Sequence, residues 1–79
     1  MKTTEIQDWF PHLDGKQVEL RRGNVRATAT ACDFTHSLMC ESDLFSNENG
    51  LPVMLYLSPK SIDRIAPSLS GPTIIYLKD

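Results

Sequence analysis

Two cysteines and a histidine near the middle of the chain are the residues best suited to hold a metal ion. Cys32, His36 and Cys40 are spaced four apart, which on a helix would place them on one face, as a zinc site requires. His12 is the residue that could readily complete four ligands. On an extended strand the same spacing separates neighbours by about 13 Å, too far for one ion without an intervening turn. Because we expect strands in this region, two thiols without a metal ion are the favoured interpretation.

Asp33, His36 and Ser37 are the three residue types of a nucleophilic triad. Adjacent residues on a strand point to opposite faces, so His36 and Ser37 would not form the hydrogen bond between base and nucleophile. The sequence also lacks a strained nucleophile turn and a Gly-rich phosphate-binding loop. We therefore predict that the protein is not an enzyme and has no cofactor.

Three aromatic residues are of the type that stacks on nucleic-acid bases, namely Trp9, Phe10 and Tyr56. Ile6, Trp9 and Phe10 fall on one stripe of a helix. A core or interface role is the favoured interpretation for Trp9 and Phe10, because large aromatic side chains dominate the energetics of burial. Tyr56 keeps both interpretations.

The N-terminal segment is predicted to be a short helix over residues 3–10. Thr3 or Thr4 can cap it, because a side-chain oxygen can accept a hydrogen bond from an unpaired N–H of the first turn. Pro11 biases Phe10 away from helical geometry, which predicts the end of the helix at that point.

An alternation of apolar and polar residues predicts strands from Gln17 onward. Val18 and Leu20 share one face of the first strand, and Gly23 and Asn24 supply a hairpin turn. Residues 25–32 then alternate between small apolar and polar types without a break, and the small face lets another backbone approach closely. Further strands are predicted at residues 38–44, 53–57, 62–65 and 73–77.

One helix followed by five or six short strands predicts a mainly β fold, a small and strongly bent antiparallel barrel. The length of 79 residues fits a single domain. We expect the helix at about residues 3–10, the barrel at about 16–66 and an extra C-terminal strand at about 73–78.

The charges are unevenly distributed along the chain. The formal net charge of −2 excludes a strongly basic nucleic-acid-binding protein. Residues 16–26 nevertheless contain four basic residues and one acidic residue, a local charge of +3, while residues 33–48 carry a local charge of −4. Such a chain can present a basic edge to an anion, pair head to tail with itself, or simply have two solvated faces.

Two cysteines are too few for a disulfide scaffold, and no apolar run has the length of a signal peptide or a membrane span. We therefore expect a cytoplasmic protein with reduced thiols and no membrane partner.

The order of these elements resembles the Sm-like family of small barrels, which includes the Lsm proteins and Hfq. The first family motif consists of an apolar strand, a Gly turn, a bent strand and an Asp. The matching residues here are Gly15, Val18, Leu20, Gly23, Asp33 and residues 34–38. The second, a strand, a short turn and an Ile-x-x-Ile segment, is matched by residues 53–57, 58–61 and 62–65. The resemblance covers roughly residues 5–66.

This resemblance implies an RNA-associated binding module that forms a homo-oligomer. It places the RNA contacts at Asp33, Thr35, His36, Ser37, Lys60 and Ser61. Lys60 would approach a phosphate, while His36 would stack on a base or share a hydrogen bond. The sequence departs from the family where an Asn and an Arg-Gly pair are usual, since Ser37 and Ser58-Pro59 hold those places.

A second resemblance is to Rof-type Rho-binding antiterminators, small acidic proteins with an Sm-like barrel. The segment from Ile62 to Leu77 is similar to their C-terminal end. It implies a protein-binding regulator, in which Glu41, Asp43 and Glu48 meet a basic protein partner. A structural subunit that binds no nucleic acid is the third possibility. The strand at residues 73–77, with Ile75 and Tyr76, is expected either to pair with another subunit or to close its own barrel.

Overall fold

One helix and six strands make up the regular structure of the computed structural model, which describes residues 2–34, 37–42 and 53–78. The mainly β fold with an N-terminal helix is therefore confirmed. The elements are α1 (Thr3–Leu13), β1 (Gln17–Arg22), β2 (Val25–Phe34), β3 (Ser37–Ser42), β4 (Val53–Leu57), β5 (Ile62–Ala66) and β6 (Thr73–Leu77), with a 3-10 turn at Pro59–Ser61 before β5. No helix in the described ranges is long and apolar enough to cross a membrane.

Helix α1 begins at Thr3 and runs beyond the predicted end. Lys2 holds the cap position, and its backbone N–H donates to the Glu5 carboxylate at 3.4 Å, so the predicted threonine cap is wrong. The predicted end at Phe10 is also wrong, because the helix continues through Pro11 to Leu13. Burial of the Leu13 side chain contributes roughly 1.5–3 kcal/mol, which offsets the hydrogen bond that Pro11 cannot donate.

The turn after α1 ties the helix to β2. Gly15 has a φ of 77°, a left-handed conformation that glycine adopts without strain. Its N–H donates to the carbonyl of Ala31 at 2.8 Å, and the N–H of Ala31 donates to the carbonyl of Lys16 at 2.9 Å. These hydrogen bonds therefore fix the C-terminal end of α1 against the C-terminal half of β2.

Strand β2 has the two faces that its alternation predicts. Ala27, Ala29 and Ala31 are buried in the core, while the residues between them point to the other face of the sheet. Helix α1 packs over this small face and buries Ile6 and Phe10 there. We call this covered side of the sheet the inner face and the opposite side the outer face.

The six strands form one mixed sheet in the order β4-β3-β2-β1-β6-β5. Strand β6 lies between β1 and β5 and runs parallel to β1, so the sheet differs from the expected all-antiparallel arrangement at this pair. Strands β4 and β5 are the two edges, and the described residues do not close the sheet into a barrel. Ile75 is fully buried opposite Leu20 on one side and Ile65 on the other. The predicted use of β6 as an edge for another subunit is therefore wrong, because a central position buries more of this apolar strand.

Strands β4 and β6 have the predicted bounds, and the turn at residues 58–61 contains the 3-10 turn. Strand β3 begins one residue earlier than expected and is described to Ser42. The predicted surface loop at residues 46–50 lies outside the described residues.

Candidate nucleic-acid interface

The first predicted RNA motif lies where β2 ends and β3 begins. Asp33 is exposed near the end of β2, and its backbone N–H donates to the Asp14 carboxylate at 3.0 Å. Ser37 is half-buried at the start of β3. Thr35 and His36 lie outside the described residues, so the proposed stacking role of His36 stays a prediction.

The second predicted motif lies at the same end of the sheet as the first. Leu38 pairs with Leu57, which brings the start of β3 next to the turn that follows β4. Lys60 is exposed on this turn. The hydroxyl of Ser61 donates to the carbonyl of Ser58 at 2.8 Å, which stabilises the turn. The structure therefore brings the described residues of the two motifs to one end of the sheet.

The predicted protein-interface residues are dispersed. Glu41 is exposed on β3, whereas Asp43 and Glu48 lie outside the described residues. Ile75 is fully buried and Tyr76 is half-buried. Among these described residues, only Glu41 and Tyr76 therefore have side chains that can reach a partner.

The two cysteines point to opposite faces of the sheet. Cys32 is half-buried on the outer face and Cys40 is buried in the core. A hydrogen bond with Asp14, followed by burial and the charges of Asp14 and Asp33, raises the pKa of Cys32. Burial raises the pKa of Cys40 from 9.0 to about 11. Both thiols are therefore protonated at neutral pH, and the described residues contain no group of three or more potential ligands that could hold a metal ion.

A row of three arginines and one tyrosine crosses four neighbouring strands on the outer face. Arg26 on β2 lies directly opposite Arg21 on β1, Arg21 lies opposite Tyr76 on β6, and Tyr76 lies opposite Arg64 on β5. We call these four residues the basic row. Three inter-strand spacings give the row a length of about 14 Å.

Tyr76 holds the guanidinium groups of its two neighbours in place. The Arg64 Cζ atom lies 4.2 Å from the centre of the Tyr76 ring, and the Arg21 Cζ atom lies 5.8 Å from it. Both distances fit a cation–π contact. Arg21 also donates a hydrogen bond from Nε to Glu19 Oε2 at 2.9 Å, and its Nη2 forms an ion pair with the same oxygen at 2.8 Å. Arg26 and Arg64 are exposed, and neither has an ion-pair partner among the described residues.

Large apolar side chains lie at the other end of the same outer face. Phe34 is 54% exposed, Tyr56 56% and Met54 48%, and Met39 on β3 lies directly opposite Tyr56. We call these four residues the aromatic patch. The rings of Phe34 and Tyr56 meet edge to face, with centroids 5.9 Å apart and an interplanar angle of 61°.

The solvent side of α1 has the opposite electrostatic character to the basic row. Glu5, Asp8, Trp9 and His12 line an open concavity of about 550 Å³ there. Trp9 also packs against the core, as the core interpretation of its stripe predicts. The two carboxylates repel phosphate groups, so this concavity is a poor site for an anion.

Sequence reasoning found only part of the basic row. The positive charge of residues 16–26 indicated a basic edge and included Arg21 and Arg26. Arg64 and Tyr76 were not connected with it, because only the pairing of β6 with β1 and β5 brings them into the row. Tyr56 was recognised as a possible stacking residue, whereas Phe34 was not.

Comparison with known proteins finds no matching family model, no matching curated protein and no matching solved structure. The resemblances to the Sm-like family and to the Rof-type antiterminators therefore stay predictions.

Proposed function

We propose that this chain is a non-catalytic binding module for RNA, and that the basic row is where it holds the phosphate groups. The observation that carries this proposal is the register that aligns Arg26, Arg21, Tyr76 and Arg64 on one face of the sheet. Guanidinium groups bind phosphate oxygens through two parallel hydrogen bonds, a geometry that a lysine does not provide.

The arrangement of the row has a cost in stability that favours a functional role. Like charges directly opposite each other on neighbouring strands are destabilising, and Arg21 and Arg26 form such a pair. Glu19 neutralises only Arg21. An anionic ligand would relieve the repulsion between Arg21 and Arg26. The free energy of binding would therefore include the removal of a contact that destabilises the unbound fold.

Contacts with Tyr76 prepare two of the guanidinium groups for binding. Arg21 and Arg64 both lie over its ring, so their long side chains have fewer conformations to lose when a phosphate arrives. The acidic residues that contribute to the net charge of −2 are divided between the two sides of the molecule. Glu5 and Asp8 lie around the concavity of α1, whereas Glu19 and Glu41 share the outer face with the row.

Self-association is part of the proposal, through edges other than the one first predicted. The described residues leave the outer edges of β4 and β5 without a neighbouring strand. Such edges pair readily with another chain. Pairing of β4 with β5 of a second copy would repeat the basic row around the assembly, and native mass with and without RNA would measure it.

Binding of labelled oligo(U) and oligo(A) at low salt, followed by fluorescence anisotropy, tests the proposed RNA site. The double variant Arg26→Gln/Arg64→Gln removes two charges from the row and is expected to weaken binding about 100-fold or more, because each lost charged hydrogen bond contributes roughly 1.5–3 kcal/mol. The matched control, Lys16→Gln/Arg22→Gln, removes the same charge from exposed positions outside the row and is expected to weaken binding less than about threefold.

Two results would overturn the proposal. One is the absence of measurable binding of either oligonucleotide by the unmodified chain at low salt. The other is an equal loss of affinity in the row variant and in its matched control, which would show that total charge, rather than the row, decides binding. The RNA is expected to remain intact throughout, and cleavage would contradict the non-catalytic role.

A further inference from the structure

The aromatic patch has no role in phosphate binding, yet it shares the outer face with the basic row. Single exposed apolar residues are common, but a contiguous exposed group usually marks a binding site. Phe34, Met54 and Tyr56 are each about half exposed and belong to β2 and β4, on either side of Met39 in β3. The patch is therefore a candidate binding surface.

The size of the patch argues against a stable protein interface. Three half-exposed large side chains offer on the order of 300 Å² of apolar surface. A stable protein interface buries about 800 Å² on each partner. A planar ring of the size of one nucleobase fits this area better, and base stacking on aromatic side chains is tolerant of sequence.

The Phe34 and Tyr56 rings keep surface available for such a ring. In an edge-to-face pair the two rings do not cover each other as a parallel stack would, and both remain more than half exposed. No described acidic side chain belongs to the patch itself, although Glu41 lies opposite Met54 at its margin.

Strand β2 sets the distance between the patch and the row. Arg26 and Phe34 are eight residues apart on β2 and share its outer face, a separation of up to about 26 Å along the strand. Such a span corresponds to on the order of five nucleotides of an extended single strand, within the usual site sizes of sheet-based single-strand binders. Only a linear ligand that carries both anionic groups and flat rings can occupy both regions at once.

We infer that the aromatic patch stacks a base of the same RNA strand whose phosphates bind the basic row. This inference rests on the proposed function and narrows its ligand to single-stranded RNA long enough to span both regions. A duplex does not satisfy the patch, because its bases are already stacked on one another.

A length series of oligo(U) from two to twelve nucleotides tests the inference by anisotropy. For the unmodified chain, affinity is expected to rise steeply up to about six nucleotides and then to level off. The variant Phe34→Ala/Tyr56→Ala is expected to lose about tenfold or more for the long oligonucleotides. It should bind the shortest ones, and a base-free polyphosphate, as the unmodified chain does.

Two further variants separate stacking from general changes in the surface. Val25→Ala/Leu69→Ala removes apolar surface from two exposed residues outside the patch and is expected to leave the length dependence unchanged. Phe34→Trp/Tyr56→Phe keeps two aromatic rings and is expected to retain the affinity for long oligonucleotides. The fluorescence of a 2-aminopurine near one end of an eight-nucleotide strand should be quenched by the unmodified chain and by these two variants, and less by the Phe34→Ala/Tyr56→Ala variant. Circular dichroism confirms that each variant is folded.

The failure of this inference is distinguishable from the failure of the proposed function. If the row variant weakens RNA binding and the Phe34→Ala/Tyr56→Ala variant does not, the inference is wrong and the proposed function stands. If the patch variant binds RNA normally but changes the native mass, the patch is a contact between copies of the chain. If it weakens polyphosphate binding equally, it acts through the fold, and that result also overturns the inference. An unmodified chain that binds no RNA overturns both.

Discussion

The basic row and the aromatic patch occupy the same outer face but are assembled in different ways. The patch comes from β2, β3 and β4, which follow one another in the chain and pair as neighbours. The row comes from β2, β1, β6 and β5, and its two halves are joined by the pairing of Arg21 with Tyr76, distant residues of the chain. The patch is thus a local product of consecutive strands, while the row exists only when the whole sheet has formed.

Removal of the core contact at the centre of β6 should have the largest effect and should separate the two regions. Ile75→Ala is expected to lower the free energy of unfolding by about 2–5 kcal/mol, because Ile75 is fully buried between β1 and β5. Hydrogen exchange should show protection lost first in β5 and β6, with β3 and β4 less affected.

Ile74→Ala serves as the control for this change, since Ile74 is only half-buried on the same strand. This variant should lower the free energy of unfolding by less than Ile75→Ala does. Equal loss of protection in β4 and β6 would contradict the distinction between a local patch and a non-local row.

Alkaline pH should act at the other end of the sheet. The folded protein favours the neutral thiol of Cys40, whose pKa is raised from 9.0 to about 11. The stability from this group is therefore complete below about pH 9 and is lost as the pH rises through about 11. The loss approaches about 2–3 kcal/mol, and urea unfolding at several pH values would measure it.

Cys40→Ala should remove this part of the pH dependence, whereas Cys32→Ala should retain most of it. The prediction would be contradicted if the free energy of unfolding changed with pH in the same way in the unmodified chain and in the Cys40→Ala variant between pH 8 and 11.

The dependence of RNA binding on salt should distinguish charge from stacking. Three phosphate contacts predict a slope of about −2 in a plot of log affinity against log salt concentration, which weakens binding roughly 16-fold between 50 and 200 mM. Arg26→Gln/Arg64→Gln should reduce the slope to about −0.7, while Phe34→Ala/Tyr56→Ala should lower the affinity with the slope unchanged. A change of slope in the patch variant would mean that the two regions do not differ as described.

The smallest expected effect is a gain in stability. Arg26→Glu replaces the repulsion between Arg21 and Arg26 with an attraction across β1 and β2, and is expected to add about 0.2–1 kcal/mol to the free energy of unfolding. RNA binding should fall at the same time. Arg22→Glu is the matched control, because Arg22 lies opposite uncharged Val25. Lower stability in the Arg26→Glu variant would contradict the claim that the row is strained by its own charges.

The sequence was informative wherever a structure depends on neighbouring residues. The alternation over residues 25–32 correctly predicted the two faces of β2, although Val25 at the start of the small face is exposed. The apolar runs at 53–57 and 73–77 correctly predicted β4 and β6. The local rule for proline failed at Pro11, because the burial of Leu13, a tertiary contact, outweighs it. The partners of β6 were not predictable, since an apolar strand carries no signal that selects its neighbours.

The candidate site likewise has a part that neighbouring residues in the sequence predict and a part that depends on strand pairing. The basic residues Arg21 and Arg26 stood out as a local cluster, and Tyr56 stood out as an aromatic residue in an otherwise aliphatic strand. The alignment with Arg64 required the register of three strand pairs. The exposure of Phe34 required knowledge of the face on which β2 places it.

The parallel insertion of β6 also has a consequence for how the proposed RNA site forms. Residues 18–21 pair with residues 73–76, and contacts of such long sequence separation form late, because a long loop must first close. A chain that has formed only its early hairpins would display the patch and the Arg21–Arg26 pair, but not the complete basic row. A ligand that contacts Arg64 together with Arg21 therefore binds only molecules whose final strand has docked, and by mass action it holds that strand in place. Docking of β6 therefore completes the sheet and the proposed phosphate-binding row in one step.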